Sequence, residues 1–168
     1  MPAVLVAFSG RNGGTRQIAE VIAAEIDGSG LSVDLRDAAD VASVDEYAAV
    51  IVGSALYYHR WCREAVRLLE RHARALSERP VWLFHSGPCG PGAAGAQVSL
   101  PAKVALLAAR IDAERTTTFG GRLDQATARG LIPRLMASGQ RAGDFRDWDR
   151  IRAWARDVGR RVRIRVPL

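Results

Sequence analysis

The stretch Val4-Leu5-Val6-Ala7-Phe8-Ser9-Gly10-Arg11-Asn12-Gly13-Gly14-Thr15 decides how the rest of the chain is read. Ala3 to Phe8 is a continuous apolar run, too short for a helix and closed by Ser9-Gly10. It predicts a strand buried on both faces, as in a parallel sheet. From Thr15 onward, Ile18, Ala19, Ile22, Ala23 and Ile26 recur at helical spacing, and Gly28-Ser29-Gly30 ends the helix. Between them, glycines free successive N–H groups to curl inward at a helix N-terminus, which is a nest for an anion. The glycine spacing is not that of a dinucleotide loop, and no Gly-Lys-Ser/Thr closes a Walker loop. The loop therefore predicts a monophosphate site through Ser9, Arg11, Asn12, Gly13, Gly14 and Thr15. A tight turn with Thr15 as a plain cap is the alternative.

Working outward, the same alternation repeats. Leu31, Val33 and Leu35 alternate with polar residues and predict a second strand nearer the sheet edge. Ala48 to Gly53 is a third, buried strand, and the helix after it places Cys62, Ala65, Val66, Leu69, His72, Ala73 and Leu76 on one face. Pro80 to Phe84 is a fourth strand, followed by a Gly/Pro-rich loop from Gly87 to Gly95 and a helix carrying Val104, Leu107, Ala108 and Ile111. Arg115 to Phe119 reads as a fifth strand. A poorly periodic stretch interrupted by Gly130 and Pro133 leads to a last helix near Asp147, with Ile151, Trp154, Ala155 and Val158 inward. Five strands alternating with helices predict an α/β fold, a three-layer doubly wound sandwich around a five-stranded parallel sheet. The expectation is one domain over 1–168, with about 160–168 as a flexible basic tail. In such sheets ligands bind beyond the carboxyl ends of the strands, where the strand order reverses. The loops after the first, third and fourth strands are the candidates.

Composition bounds the partners. The 168 residues, 48% of them hydrophobic, suffice to bury a core without metal or disulfides. Cys62 and Cys89 fit neither a disulfide framework nor a zinc site, so no metal is expected. The net charge is +6, and Lys103 is the only lysine among 24 basic residues. That arginine bias reads either as coding bias or as selection for bidentate contacts to phosphate and carboxylate. Along the helices arginines are interleaved with acids, as at Arg63, Glu64, Arg67, Glu70, Arg71 and Arg74, which argues against a nucleic-acid track. No apolar stretch approaches the roughly 20 residues of a spanning helix, and the start of the chain does not read as a targeting signal. The expected location is cytoplasmic, with peripheral contact at the inner face of the membrane through Arg160, Arg161, Arg163 and Arg165 as the further reading.

The two remaining loops supply the chemistry. In Ser54-Ala55-Leu56-Tyr57-Tyr58-His59-Arg60-Trp61, three aromatics and a histidine stand at a strand end, a composition suited to stacking a flat ligand; local core packing of the rings is the alternative. Ser86-Gly87-Pro88-Cys89-Gly90 offers small residues and backbone amides for close approach to a ring edge. Together with Phe119-Gly120-Gly121-Arg122-Leu123-Asp124 and Gly143-Asp144-Phe145-Arg146-Asp147-Trp148, these loops resemble the flavodoxin-domain family, and more narrowly its menaquinone-dependent protoporphyrinogen oxidases. The resemblance implies a flavodoxin-like fold and non-covalent FMN, with phosphate in the first loop. It puts the isoalloxazine between the second loop (Ser54, Ala55, Leu56, Tyr57, Tyr58) and the third (Ser86, Gly87, Pro88). It departs at Gly10 and Gly14, which supply no side-chain donor. Each missing hydrogen bond is worth about 0.5 to 1.5 kcal/mol.

What the resemblance implies is an FMN-dependent oxidoreductase that oxidises a reduced organic substrate, a porphyrinogen in the oxidases, and passes electrons to a quinone or a protein acceptor. An electron-carrier flavodoxin is the alternative. A degenerate domain without FMN, serving binding or regulation, is a third. His59 is the candidate proton relay because histidine is the side chain suited to proton exchange at physiological pH; a solvent-facing loop residue is its other reading. Asp124, Asp144 and Asp147 read as turn and cap residues.

Overall fold

A computed structural model of the chain describes residues 4–89, 92–123 and 143–166. The first strand, β1 (Val4–Ser9), is buried along its whole length because it lies in the middle of the sheet with helices on both sides. Val4, Val6 and Phe8 face one layer, Leu5 and Ala7 the other. α1 (Gly14–Asp27) lays Ile18, Ile22 and Ile26 on the first face. β2 (Val33–Asp37) is the half-buried edge strand that its alternation predicts. β3 (Ala49–Tyr57) continues past the apolar run and turns back through β4 (Arg60–Trp61). α2 (Arg63–Arg71) and α3 (Ala73–Ser77) follow, then β5 (Val81–Ser86), α4 (Ala102–Arg110), β6 (Thr117–Phe119), the short β7 (Arg122–Leu123) and β8 (Gly143–Asp144), and α5 (Trp148–Arg165).

The main sheet has the order β2-β1-β3-β5-β6, all parallel, with β4 paired antiparallel to β3. This is the five-stranded doubly wound sandwich expected, and the order reverses at β1. One layer is α1 and α5 over Ile51, Trp82, Phe84 and Phe119; the other is α2, α3 and α4 over Val50, Val52 and Leu83. Register puts Ser9 beside Ser54, Ala55 beside Ser86, and Ser86 beside Phe119. The loops after β1, β3, β5 and β6 therefore open side by side along one edge.

Three features differ from the sequence expectation. The helix expected across Cys62 to Leu76 is interrupted at His72 (φ −107°, ψ 17°), although Leu69, Ala73 and Leu76 stay buried on its inner face. The basic tail is not a tail as far as Arg165: α5 runs to that residue, Val162 is fully buried, and Arg161 and Arg165 pair with Glu114 at 3.5 and 2.5 Å. Arg165 also lies over the Trp82 ring, 5.9 Å from its centroid. The alternation of Arg with Val and Ile there is a helix with a narrow apolar stripe. The third difference is the β7–β8 ribbon, which no periodicity announced; Asp124, Gly130 and Pro133 lie outside the described residues.

Under α5, Trp154 packs edge to face on Phe84 and Phe119, which are themselves tilted against each other, with centroids 5.6 to 6.0 Å apart. Gly53, between Phe8 and Phe84 in the ladder, makes room for this cluster, since a Cβ there would overlap the Phe84 ring. Gly53→Ala is expected to destabilise the fold by about 1–3 kcal/mol through overpacking. Phe84→Leu in the same chain should restore part of that loss, because two residues in contact do not add. Urea midpoints of the two single variants and the double variant measure this; strictly additive losses would contradict the packing account.

Candidate functional site

The loops along the strand ends line one cavity of about 860 Å³. Loop 1 enters α1 through Gly13, whose φ of 79° only glycine adopts without strain, and no side chain caps the helix. Among the described residues no side chain accepts the first N–H groups of this 14-residue helix, and the helix dipole adds favourable potential for an anion. Asn12 Oδ1, in the same loop, is buried and has no hydrogen-bond partner. Thr15 is buried, and its hydroxyl exchanges a 2.9 Å hydrogen bond with that of Ser86, joining loop 1 to the loop after β5. Its role as a plain cap is therefore excluded.

The second loop is a two-residue hairpin turn. Leu56 pairs with Trp61 and Tyr57 with Arg60, leaving Tyr58 and His59 at φ 49° and 59°. Left-handed backbone costs about 1–2 kcal/mol per residue outside glycine, and such turns ordinarily carry Asn-Gly. Here the strained positions hold an aromatic ring that is 65% exposed and an exposed histidine. Tyr57 bends the other way, into the cavity: its hydroxyl accepts the Arg11 amide at 3.0 Å, and its ring lies 5.7 Å from the Arg11 guanidinium. Burial raises the Tyr57 pKa against the opposing pull of the Arg11 and Asn12 amides.

The third loop approaches the second without side chains between them. A Cβ on Gly87 would stand 2.7 Å from Leu56 Cβ and 2.8 Å from its carbonyl oxygen. Gly120 and Gly121 explain themselves the same way: a Cβ on Gly120 would overlap the Phe145 carbonyl, and one on Gly121 would come within 3.0 Å of Gly87 Cα. The Gly121 amide donates to Pro88 O at 2.8 Å, and Gly121 O accepts the Phe145 amide at 3.0 Å. This threading brings Arg122 over the start of α1 and into the cavity lining. Arg146, whose side chain is 4% exposed, fixes the arrangement. It grips Asp144 with Nε and Nη2 at 2.7 and 2.6 Å, donates to Gly14 O at 3.3 Å and Gln17 Oε1 at 2.5 Å, and lies 4.5 Å from the Trp148 ring centroid. Its hydrogen bonds hold the Asp144 carboxyl below its ordinary range.

Of the residues singled out from sequence, Arg11, Asn12, Gly14, Thr15, Ala55, Leu56, Tyr57, Tyr58, Ser86 and Gly87 line the cavity, as do Arg60 and Cys89. Ser9, Gly13, Ser54, His59 and Pro88 do not. Ser9 is buried and donates toward Glu64 at 3.5 Å. Ser54 accepts the Cys62 amide at 2.9 Å and donates to Ala55 O at 2.8 Å, fixing the start of α2. His59 occupies the turn, and Pro88 O anchors Gly121. Asp147 caps α5 by accepting the Arg150 amide at 3.0 Å, while Asp144 combines a turn contact with the Arg146 pair. Arg63, Gly121 and Arg122 are lining residues that the sequence reading left out. The adjacent glycines after β6 were the signal for the last two.

The lining fits a phosphorylated flat ligand: an uncapped helix start with a buried, unpartnered amide oxygen at one end, and backbone-level contact between loops at the other. Four arginines line it (Arg11, Arg60, Arg63, Arg122), and among the described residues no carboxylate does.

A family model described as a flavodoxin domain matches residues 5–136. No curated protein matches the chain. Among solved structures, a flavodoxin from the domain Archaea is 14% identical with a TM-score of 0.61, over 95% of this chain and 98% of its own. Oxidised flavodoxin 2 from Bacillus cereus is 16% identical with a TM-score of 0.56, over 90% and 94%. Rubredoxin oxygen:oxidoreductase from Desulfovibrio gigas is 12% identical with a TM-score of 0.67, and this chain, covered in full, spans 38% of it. At these identities the likeness is one of fold.

Beneath the cavity, fully buried His85 ties the turn to the sheet. Trp61 Nε1 can only donate, so His85 Nδ1 accepts it at 3.1 Å and the ring proton sits on Nε2, facing Thr118 Oγ1 at 2.8 Å and Val98 O at 3.2 Å. Burial lowers the His85 pKa below 6.5, and the Val98 carbonyl opposes this only in part. Folded His85 binds a proton less readily than in the unfolded chain. Its contribution to stability is therefore complete above 6.5 and is lost as pH falls from there toward the lowered folded value. His72, lowered mainly by its own burial, acts in the same sense. The urea midpoint is expected to drop between about pH 7.5 and 5.5, and His85→Gln, whose amide can replace both partners, should flatten that drop. An unchanged pH slope in His85→Gln would contradict the assignment.

Proposed function

The chain belongs to the flavodoxin domain family, and from that premise we propose that it is an FMN-dependent oxidoreductase of the protoporphyrinogen-oxidase-like type, oxidising a reduced organic substrate and passing the electrons to a quinone or another acceptor. The cofactor is FMN, and when bound it supplies the two-electron redox chemistry. The residues present suit it. The amides at the start of α1, with Asn12 and Thr15, would hold the phosphate, and Leu56, Tyr58, Gly87 and Cys89 would flank the ring.

The observation that carries the enzyme reading is the charge of the lining. Four arginines and, among the described residues, no carboxylate favour any step that adds negative charge inside the cavity, and they attract a substrate bearing carboxylates, such as a porphyrinogen. Arg60 and Arg63 are exposed at the mouth, where they would orient such groups through bidentate hydrogen bonds. Tyr58 offers an exposed ring beside them. The strain at Tyr58 and His59 keeps that ring outward, since relaxing the turn would remove the pairing of β4 with β3. His59, on this turn, remains the candidate to exchange protons with solvent.

The second reading is an FMN-bearing electron carrier, supported by the match of this chain to whole flavodoxins in length as well as fold. The exposed Tyr58 ring would then face a redox protein. No helix among the described residues is long and apolar enough to cross a membrane, so a quinone would be met at a membrane surface or as a soluble analogue. The FMN-loaded protein, mixed anaerobically with a porphyrinogen and a menaquinone analogue, is expected to generate porphyrin fluorescence while each quinone takes up two electrons and two protons. Arg60→Glu with Arg63→Glu should lower kcat/KM about tenfold or more if each loses roughly 1 kcal/mol. Absence of porphyrin formation together with rapid electron exchange with a redox protein would favour the carrier.

A further inference from the structure

Loop 1 lacks hydroxyl side chains at Gly10 and Gly14, and the structure shows why at the first of them. A Cβ on Gly10 would stand 3.0 Å from Thr15 Oγ1 and 3.1 Å from Thr15 Cβ, so a larger residue there would have to push Thr15 aside. Thr15 itself is engaged with Ser86. A hydroxyl nevertheless reaches the loop from another element. Tyr57, the last residue of β3, sets its phenol oxygen on the Arg11 amide at 3.0 Å, with the Asn12 amide acting in the same sense. Its ring is held beneath the Arg11 guanidinium. The phenol oxygen thus acts as acceptor, and no described residue accepts the hydroxyl proton.

A hydroxyl whose oxygen already accepts amide hydrogen bonds is polarised into a stronger donor. Burial raises the Tyr57 pKa, so the phenol keeps its proton at neutral pH and does not repel an anion. Tyr57, Arg11, Asn12, Gly14 and Thr15 all line the same cavity. We infer that the Tyr57 hydroxyl is a donor to the FMN phosphate, standing in for the side chains that loop 1 lacks, and that it makes the site discriminate phosphorylated from unphosphorylated flavin. The role is distinct from that of a stacking wall, which would act on the ring and treat FMN and riboflavin alike. It rests on the FMN reading above.

The test compares the wild-type chain with Tyr57→Phe, which keeps the ring beneath Arg11 and removes only the hydroxyl. Flavin fluorescence titrations with FMN and with riboflavin are read beside the thermal midpoint of each protein. One lost hydrogen bond to a charged phosphate predicts an FMN Kd raised about 10- to 150-fold, with the riboflavin Kd unchanged. Equal weakening of both ligands, or no change in either, would reduce Tyr57 to a wall. Tighter FMN binding would show that the hydroxyl competes with the phosphate. Either result overturns the proposal. A wild-type chain that quenches neither flavin overturns the cofactor reading by itself. The hydroxyl is then read with inorganic phosphate, whose thermal stabilisation of the chain should be smaller in Tyr57→Phe; equal or absent stabilisation overturns the donor role as well.

Discussion

Because β1, β3 and β5 end in register, with Ser9 against Ser54 and Ala55 against Ser86, three loops that are far apart in sequence leave the sheet at one level. The sheet reverses its order at β1, so the helices on either side diverge and leave a crevice there. Everything in the site hangs from that line. The helix start at Gly13 and Gly14 comes from the first strand end, the Tyr57–Trp61 turn from the second, and the Ser86–Cys89 loop from the third. The parallel register is in turn held by apolar contacts on both faces, with Val4, Val6 and Phe8 on one side and Leu5 and Ala7 on the other. Loss of that two-sided burial would cost both the core and the site.

Side-chain bonds then convert neighbouring loops into one surface. Thr15 to Ser86 joins loop 1 to loop 3, Tyr57 to Arg11 joins loop 2 to loop 1, and Arg146 joins the β7–β8 ribbon to the start of α1. Three of these groups are hydroxyls or phenols that hold their partners without adding charge, and the buried guanidinium of Arg146 is matched by Asp144. The charge that is left facing the cavity is positive. The frame thus holds its guanidinium against a carboxylate while four arginines stand along the lining, and that is what makes the site receptive to anions.

Much of this was legible in the sequence. The uninterrupted run at β1 and the Ile18, Ile22 and Ile26 stripe carry periodicities strong enough to fix strand and helix, and the alternation at Leu31 to Leu35 marks the edge. Loop positions were legible to the extent that glycine and aromatic composition is unusual there. Hidden from the sequence was whatever depends on contacts between distant segments. Thr15 meets Ser86 across 71 positions, and Arg146 meets Gly14 across 132, so neither their roles nor the lining position of Arg63 could be read from local pattern. The direction of Tyr57 was hidden too, since the same residue reads as stacking wall until the turn at Tyr58 and His59 shows which way it bends. The C-terminal arginines misled for a related reason: from about residue 160 the alternation of Arg with Val and Ile reads as a basic tail until Val162 is found buried and Glu114 is seen to hold the guanidinium groups.

The central claim is that these loops hold FMN, and an absorption and fluorescence titration of the purified chain tests it most directly. One equivalent of FMN is predicted to remain with the protein through gel filtration, with its visible band shifted and its fluorescence quenched. FMN that elutes free and keeps its full fluorescence would contradict the account.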